Sequence, residues 1–439
     1  MIEVIQGHDW RWRFWRLALL NILANLMVPL ASLVDVAFLG HLADLRYLDG
    51  VALATVIFDT LYRSCTSLRM STTGTTAQAS GRQDEAAMAL TLLRNGLLAL
   101  MIGLGILTLQ WPIEQVGFGL LHATPDIEIS GRAYYDAMVF GAPANTLNFV
   151  LLGWLLGCEQ GGKVLALSAV GNGTNIFLDY WFIVRQGWGS AGAGWATVGS
   201  QYLTLLLALG FVLSRLPKTT WPEIVPRLLE PQGVVTTLAL NGNIFVRTMA
   251  LGLALTLFTT ISATLGPVPL ATNTLLLRVV LLAAYFIDGM AYAVESLVGV
   301  FQGSGRSEQF PPLLQLAAGG SLGIGVGLAM GFILFPTTLF GFLTDHSSVL
   351  ETIRSYVPWL LPLLGFGAIA YTLDGYFLGL TAGGILRNAT LIATLGFFCP
   401  IAFLAWQWHS LHGLWLGLVV WMAARAIALG SQVPSTIRG

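Results

Sequence analysis

NATLIATLGFFCPIAFLAWQWHSLHGLWLGLVVWMAA, residues 388–424, runs for two helix lengths without one Asp, Glu, Lys or Arg. A helix needs about 20 apolar residues to cross the hydrocarbon core of a bilayer. This stretch is long enough for two crossings, with the turn at His409-Ser410-Leu411-His412-Gly413. The rest of the chain follows the same habit. Charge is also absent between Leu17 and Val34, Asn95 and Ile113, Ala137 and Cys158, Gln186 and Ser214, and Gln309 and Thr344. Only 10% of the 439 residues are charged and 55% are hydrophobic, against roughly 25% charged in a soluble domain. One aqueous core cannot hide that much apolar surface, so the chain reads as an all-α, multi-pass membrane protein.

Apolar stretches between turn signals predict twelve spans, near 15–40, 50–77, 87–111, 130–157, 163–184, 191–214, 236–262, 270–300, 312–342, 353–379, 387–406 and 411–430. Arg11, Arg13 and Arg16 before the first run give it the look of a signal peptide. The run is too long for one and leads into further spans, so it is read as an uncleaved first helix. An even number of spans puts both termini on one side. With the termini inside, the cytoplasmic loops hold Arg11, Arg13, Arg16, Arg82, Lys163, Arg215, Lys218, Arg227, Arg306, Arg387 and Arg438, and the opposite side only Arg46 and Arg185. Loop cations concentrate on the cytoplasmic face, which predicts a plasma (inner) membrane protein with cytoplasmic termini.

The segment 216–232, rich in proline and charge, divides six spans from six and is the predicted linker between lobes 1–215 and 233–439. The halves repeat. Gln78-Ala79-Ser80-Gly81-Arg82, after the second span, recurs as Gln302-Gly303-Ser304-Gly305-Arg306 after the eighth. Leu156-Gly157 with Gly161-Gly162, after the fourth span, recurs at nearly the same offset as Leu378-Gly379 with Gly383-Gly384. Six intervening spans make the repeats parallel, related by an axis along the membrane normal. Two such bundles around a central cavity are what alternating access requires. The 50 glycines suit close helix packing in lipid, and Cys65, Cys158 and Cys399 lie in or beside apolar segments as small packing residues.

Ionisable residues inside spans are expensive and mark pathways, relays or internal pairs. Asp59 and Arg63, and likewise Arg132 and Asp136, stand four apart and so suit local ion pairs. Asp35 has no cation within a turn and follows Pro29, which frees a backbone carbonyl and lets the helix bend; the alternative is a carboxyl that only bonds between helices. Asn175 and Asp179 share a helix face, and Thr197 follows the small-residue run Ser190–Gly194. Carboxylate, amide and hydroxyl oxygens suit a hard cation or a proton relay. In the second half Asp288 and Glu295, seven apart, share a face that Asp374 can meet from the tenth span. A relay, a cationic-substrate site, and an ion-paired network with Arg247 or Arg278 all stay open there. No H-E-x-x-H, Walker-type loop or Cys–His metal spacing occurs, so neither an enzyme nor an ATP-driven pump is expected, and no cofactor.

These stretches resemble a known family. VPLASLVDVAFLGHL (28–42), LRMSTTGTTAQASGR (68–82), GAPANTLNFVLLGWLLG (141–157), GNGTNIFLDYWFI (171–183) and GSAGAGWATV (189–198) are similar to the multidrug and toxic compound extrusion (MATE) family, in its DNA-damage-inducible F (DinF) branch. IDGMAYAVESLVG (287–299) and LDGYFLGLTAGGILRN (373–388) continue the likeness. The resemblance implies two six-helix lobes and secondary efflux of amphipathic organic cations or aromatic compounds in exchange for protons or sodium. By the same likeness Asp35 matches an essential first-helix aspartate whose protonation accompanies bending and release. Asn175, Asp179 and Thr197 match a cation site and Tyr134 a neighbouring tyrosine. Asp288, Glu295 and Asp374 resemble the acidic residues of the second lobe. Other branches carry an acid on the seventh helix, where this chain has Asn241, Asn243 and Arg247, which favours protons in the first lobe. A monomer in the bilayer, with no nucleic-acid partner, is expected. The rival readings are an organic-anion exporter using Arg63, Arg69 and Arg247, a lipid-linked precursor flippase, and a passive channel.

Overall fold

A computed structural model describes residues 10–42, 44–121, 123–216 and 221–437. Lys218 and Arg438, two of the cations expected on the cytoplasmic side, lie outside them. Twelve long helices fill the described residues: α1 (Trp10–Gly40), α2 (Arg46–Gly81), α3 (Glu85–Thr108), α4 (Pro125–Gly157), α5 (Gly161–Asp179), α6 (Gly189–Leu213), α7 (Pro231–Thr264), α8 (Pro267–Gly303), α9 (Phe310–Leu334), α10 (Ser347–Gly379), α11 (Gly383–Gln407) and α12 (Leu411–Gly430). Ten of them are long and apolar enough to cross a membrane. The two that are not are α2 and α5. Polar residues lower their hydropathy: Asp59, Arg63, Arg69 and Ser71-Thr72-Thr73 on α2, and Asn172, Asn175 and Asp179 on α5.

The ends follow local chemistry. Asp84 caps α3 by accepting from the Ala87 amide at 2.9 Å, and Ser410 caps α12 through the Gly413 amide at 3.1 Å. Both spare an orphan N–H at the helix start. Pro29 lies inside α1, which continues helical to Gly40. Two short helices fall where loops were expected: Gln110–Leu120 after α3, and Trp221–Arg227 within the linker. The helix over 312–342 is shorter than its apolar run, because Pro336 starts a separate turn, Pro336–Gly341.

The chain forms two compact units, Leu23–Asn241 and a second that takes the chain up to Ile22 and from Gly242 onward. The division therefore falls inside α1 and inside α7, not at the proline-rich linker. The part of α1 up to Ile22 packs in the second unit, where Gly289 lies against the Ile22 backbone. The start of α7 belongs to the first unit. Phe58, Tyr135, Trp154 and Met138 lie in the apolar core of the first unit, and Phe258, Trp415, Trp421 and Leu364 in that of the second.

The sequence repeat is a repeat of contacts. In the first unit, α4 presses Gly153 onto the Arg69 carbonyl and Gly157 onto the Thr73 carbonyl of α2. In the second, α10 presses Gly375 onto the Ala291 carbonyl and Gly379 onto the Glu295 carbonyl of α8. All four positions shift by one common offset, that of the Leu-Gly motif. A Cβ at Gly157 would stand 2.7 Å from the Thr73 oxygen, and one at Gly379 2.6 Å from the Glu295 oxygen. Between helices in lipid, where no hydrophobic force operates, such backbone proximity is a main source of cohesion.

Candidate functional site

In the first unit Asp35 of α1 and Asp179 of α5 bring their carboxyl groups within hydrogen-bonding reach of each other. Asp179 is 1% exposed and stands at the last residue of α5. The next six residues, Tyr180–Arg185, form a π turn, a widening that recurs at functional sites. Neither Asp179 oxygen receives a hydrogen bond from any neutral or cationic donor among the described residues. Two acceptor-only carboxylates cannot bond each other unless a proton, or a cation, lies between them.

The remaining residues expected here gather round that pair. One turn before Asp179, the Asn175 amide donates to Thr197 Oγ1 of α6 at 3.4 Å. The Thr197 hydroxyl donates to the Ala193 carbonyl at 3.0 Å, so toward the site its oxygen acts only as an acceptor. Gly194 lets α6 close on α4: a Cβ there would meet Ala137 Cβ at 2.8 Å and the Tyr134 carbonyl at 2.9 Å. Tyr134 of α4 bonds Thr55 of α2 and lies in electrostatic range of Asp35, Asp179 and Asp59.

The sequence reading gave α2 no part in this site. Thr55, Asp59 and Tyr62 follow at i, i+4 and i+7, one face of a helix, and that face meets Tyr134. Phe58 packs against Tyr62, Tyr134 and Tyr135 with centroids 5.5, 6.3 and 5.2 Å apart. The Tyr62 hydroxyl is buried with no hydrogen-bond partner among the described residues. The period was readable, but Asp59 was assigned to Arg63 alone. Arg132 likewise departs from its expected partner. It pairs with Glu128 at 2.7 Å and with Glu114, not with Asp136, because the Gln110–Leu120 helix brings Glu114 alongside.

In the second unit Asp374 meets arginines. Its Oδ2 accepts from Arg247 of α7 and, at 2.5 Å, from Arg425 of α12. All three residues are buried, Arg425 completely. Arg425 also lies over the rings of Tyr371 and Trp421, 5.5 Å from each centroid. Of the arrangements left open for Asp374, the ion-paired network is the one built. Its second cation is Arg425, while Arg278 is exposed. The signal was present, since Arg425 is the one charge that ends the run 388–424. Glu295 is fully buried on α8, and Asp288 lies in electrostatic range of Tyr371. Arg387 donates to Asn243 Oδ1 at 2.8 Å.

Twelve long helices in two repeated units, each with ionisable groups buried inside it, define a polytopic membrane transport protein. The MatE family pattern matches residues 21–181 and again 244–404, an offset that agrees with that of the motif repeats. The chain therefore belongs to the multidrug and toxic compound extrusion family of transporters. It is 34% identical to the DNA damage-inducible protein F of Escherichia coli over 95% of this chain and 90% of that one. It is 24% identical to a probable multidrug resistance protein NorM of Thermotoga maritima, over 92% and 88% of the two chains. A MATE structure in the straight conformation superposes with TM-score 0.88 at 21% identity, covering 98% of this chain and 97% of that one. An outward-facing multidrug resistance MATE transporter gives the same score over 98% and 96%.

Proposed function

We propose that the chain exports small amphipathic organic compounds by antiport with protons, sodium being the alternative ion, and that Asp35 and Asp179 carry the coupling. The observation that carries this reading is the carboxyl pair, Asp179 buried and Asp35 half-buried, with Asn175, Thr197 and Tyr134 around it. A proton shared by two carboxyls is lost and regained as their separation changes, so bending of α1 beyond Pro29 would couple ion uptake to conformation. Loading from outside favours substrate release, and loss of the ion to the cytoplasm resets the carrier. The positive-inside pattern supports a plasma (inner) membrane location with both termini cytoplasmic, and a monomer suffices.

The test is a proteoliposome assay with an imposed pH gradient and then a sodium gradient. Ethidium-like cations and an aromatic acid are offered to wild type and to Asp35→Asn. Uphill movement that the substitution abolishes is the expected result, and the effective gradient names the ion. Full coupled transport by Asp35→Asn overturns the mechanism.

A further inference from the structure

A polar cavity of about 340 Å³ lies within the first unit between the end of α2, the start of α3 and the first turns of α7. None of the residues of the Asp35 site lines it. Its volume falls inside the roughly 300–1,000 Å³ that small-molecule sites occupy. Its floor is a closed set of hydrogen bonds. Ser71 Oγ meets Asn95 Oδ1 at 3.1 Å and Asn241 Oδ1 at 2.9 Å, and Asn241 Nδ2 donates to Asn95 Oδ1 at 2.9 Å.

The walls carry two guanidiniums. Arg94 donates through Nε to the Leu228 carbonyl at 3.1 Å and through Nη2 to the Arg227 carbonyl at 2.5 Å. That grip holds the linker onto α3 beside Ile224, which is buried against Ala89 and Leu90. The Arg94 guanidinium lies directly on Gly233, where any Cβ would collide with it. Arg82 at the rim is exposed, and no ion pair or side-chain hydrogen bond engages it among the described residues. One acid, Glu230, stands 3.8 Å from Arg94, so cations exceed acids around the cavity.

The hydroxyls complete the pattern. Thr75, Thr236 and Thr237 each donate to their own helix, to the carbonyls of Ser71, Gln232 and Gly233 at 2.7, 2.8 and 2.9 Å. With their hydrogens used, these oxygens offer the cavity only lone pairs. Guanidiniums call for an oxyanion, and acceptor hydroxyls call for a ligand with O–H groups of its own.

We infer that this cavity binds a small hydroxylated oxyanion, of the phosphorylated-polyol or polyhydroxy-carboxylate kind, between Arg82, Arg94 and the threonines of α2 and α7. Such a ligand bridges the end of α2 to the Arg94 grip on the linker and the start of α7.

The full chain, purified in detergent, would be titrated calorimetrically with glucose 6-phosphate, with gluconate and with glucose. Saturable binding of either anion, with glucose at least tenfold weaker, is expected, and the stronger anion names the acid group. A charged hydrogen bond contributes about 1.5–3 kcal/mol, so Arg82→Gln should weaken the anion about tenfold or more. Arg82 is exposed, so the substitution leaves the fold intact. Thr75→Val, which removes an acceptor and keeps the shape, should weaken it several-fold. No saturable binding of either anion, glucose binding as well as they do, or an affinity untouched by Arg82→Gln overturns the inference.

Discussion

Arg425 Nη2 lies 2.5 Å from Asp374 Oδ2 in a place where neither residue reaches solvent. Asp374 immediately precedes Gly375, the glycine that seats α10 on α8. At the equivalent place in the first unit, before Gly153, stands Leu152. The two units thus share a packing scheme and differ in charge, and the added charge ties α12 and α7 to α10. Neutralising Asp374 leaves two buried guanidiniums uncompensated, at a cost of about 3–5 kcal/mol, whereas loss of Arg425 still leaves Asp374 paired with Arg247. Asp374→Asn, which leaves two guanidiniums facing each other, should therefore lower the midpoint of thermal unfolding in detergent markedly, and Arg425→Ala, which loses the tie to α12 but keeps a paired Asp374, should lower it less. An unchanged midpoint in both would show that the triad is not what holds these helices.

Asp35 and Asp179 should behave the opposite way. An amide in place of either carboxyl can donate to the one that remains, so the contact survives without a shared proton. Asp35→Asn and Asp179→Asn should fold with midpoints near wild type while losing gradient-driven transport. Thermal unfolding and proteoliposome flux on the same preparations separate the two effects. A large drop in midpoint for either variant would mark the pair as structural.

Much of this was legible in the sequence because bilayers impose a simple grammar of length and hydropathy. The twelve spans, the parallel repeat and the grouping of Asn175, Asp179 and Thr197 follow from runs, offsets and helical spacing. The residues missed fall into two kinds. Arg425 and Glu114 are partners whose meeting depends on how distant helices rotate, which no local period encodes. Thr55 and Tyr62 obey the right period, but α2 is polar along much of its length, so one face does not stand out. The division of the units inside α1 and α7 was hidden for a related reason. The linker has the composition of a boundary, yet Arg94 and Ile224 fasten it to the first unit.

The repeated glycine contacts make a paired prediction. An added methyl at Gly157 or Gly379 must displace backbone oxygen of the facing helix, and overpacking of this sort costs about 1–3 kcal/mol. Gly105, inside α3, has nothing within 4 Å of a Cβ, so alanine there should be neutral or slightly stabilising through helix propensity. Thermal midpoints of Gly157→Ala and Gly379→Ala should fall by similar amounts, and that of Gly105→Ala should hold or rise. If the two unit glycines differ widely, the repeat of contacts does not extend to energetics.

The floor of the polar cavity allows a finer test, because its three residues are not equivalent. Asn95 Oδ1 lies within hydrogen-bonding distance of both Ser71 and Asn241, whereas Ser71 offers a single hydrogen to three acceptors, the Leu68 carbonyl at 3.3 Å included. Asn95 Nδ2 and Asn241 Nδ2 also donate to the Thr91 and Thr237 carbonyls, 3.0 and 2.9 Å away, so each asparagine stays anchored to its own helix if a neighbour is removed. A buried polar group left without its partner costs about 1–3 kcal/mol. Ser71→Ala removes one donor while Asn241 still satisfies Asn95, and should cost least. Asn95→Ala strips the acceptor shared by the other two, and should cost most. A double-mutant cycle between Asn95→Ala and Asn241→Ala, read by thermal or urea unfolding, should show coupling of about 0.5 kcal/mol or more, as residues in one network do. Additive costs would mean that the start of α7 is held by the Arg94 grip and not by this clasp.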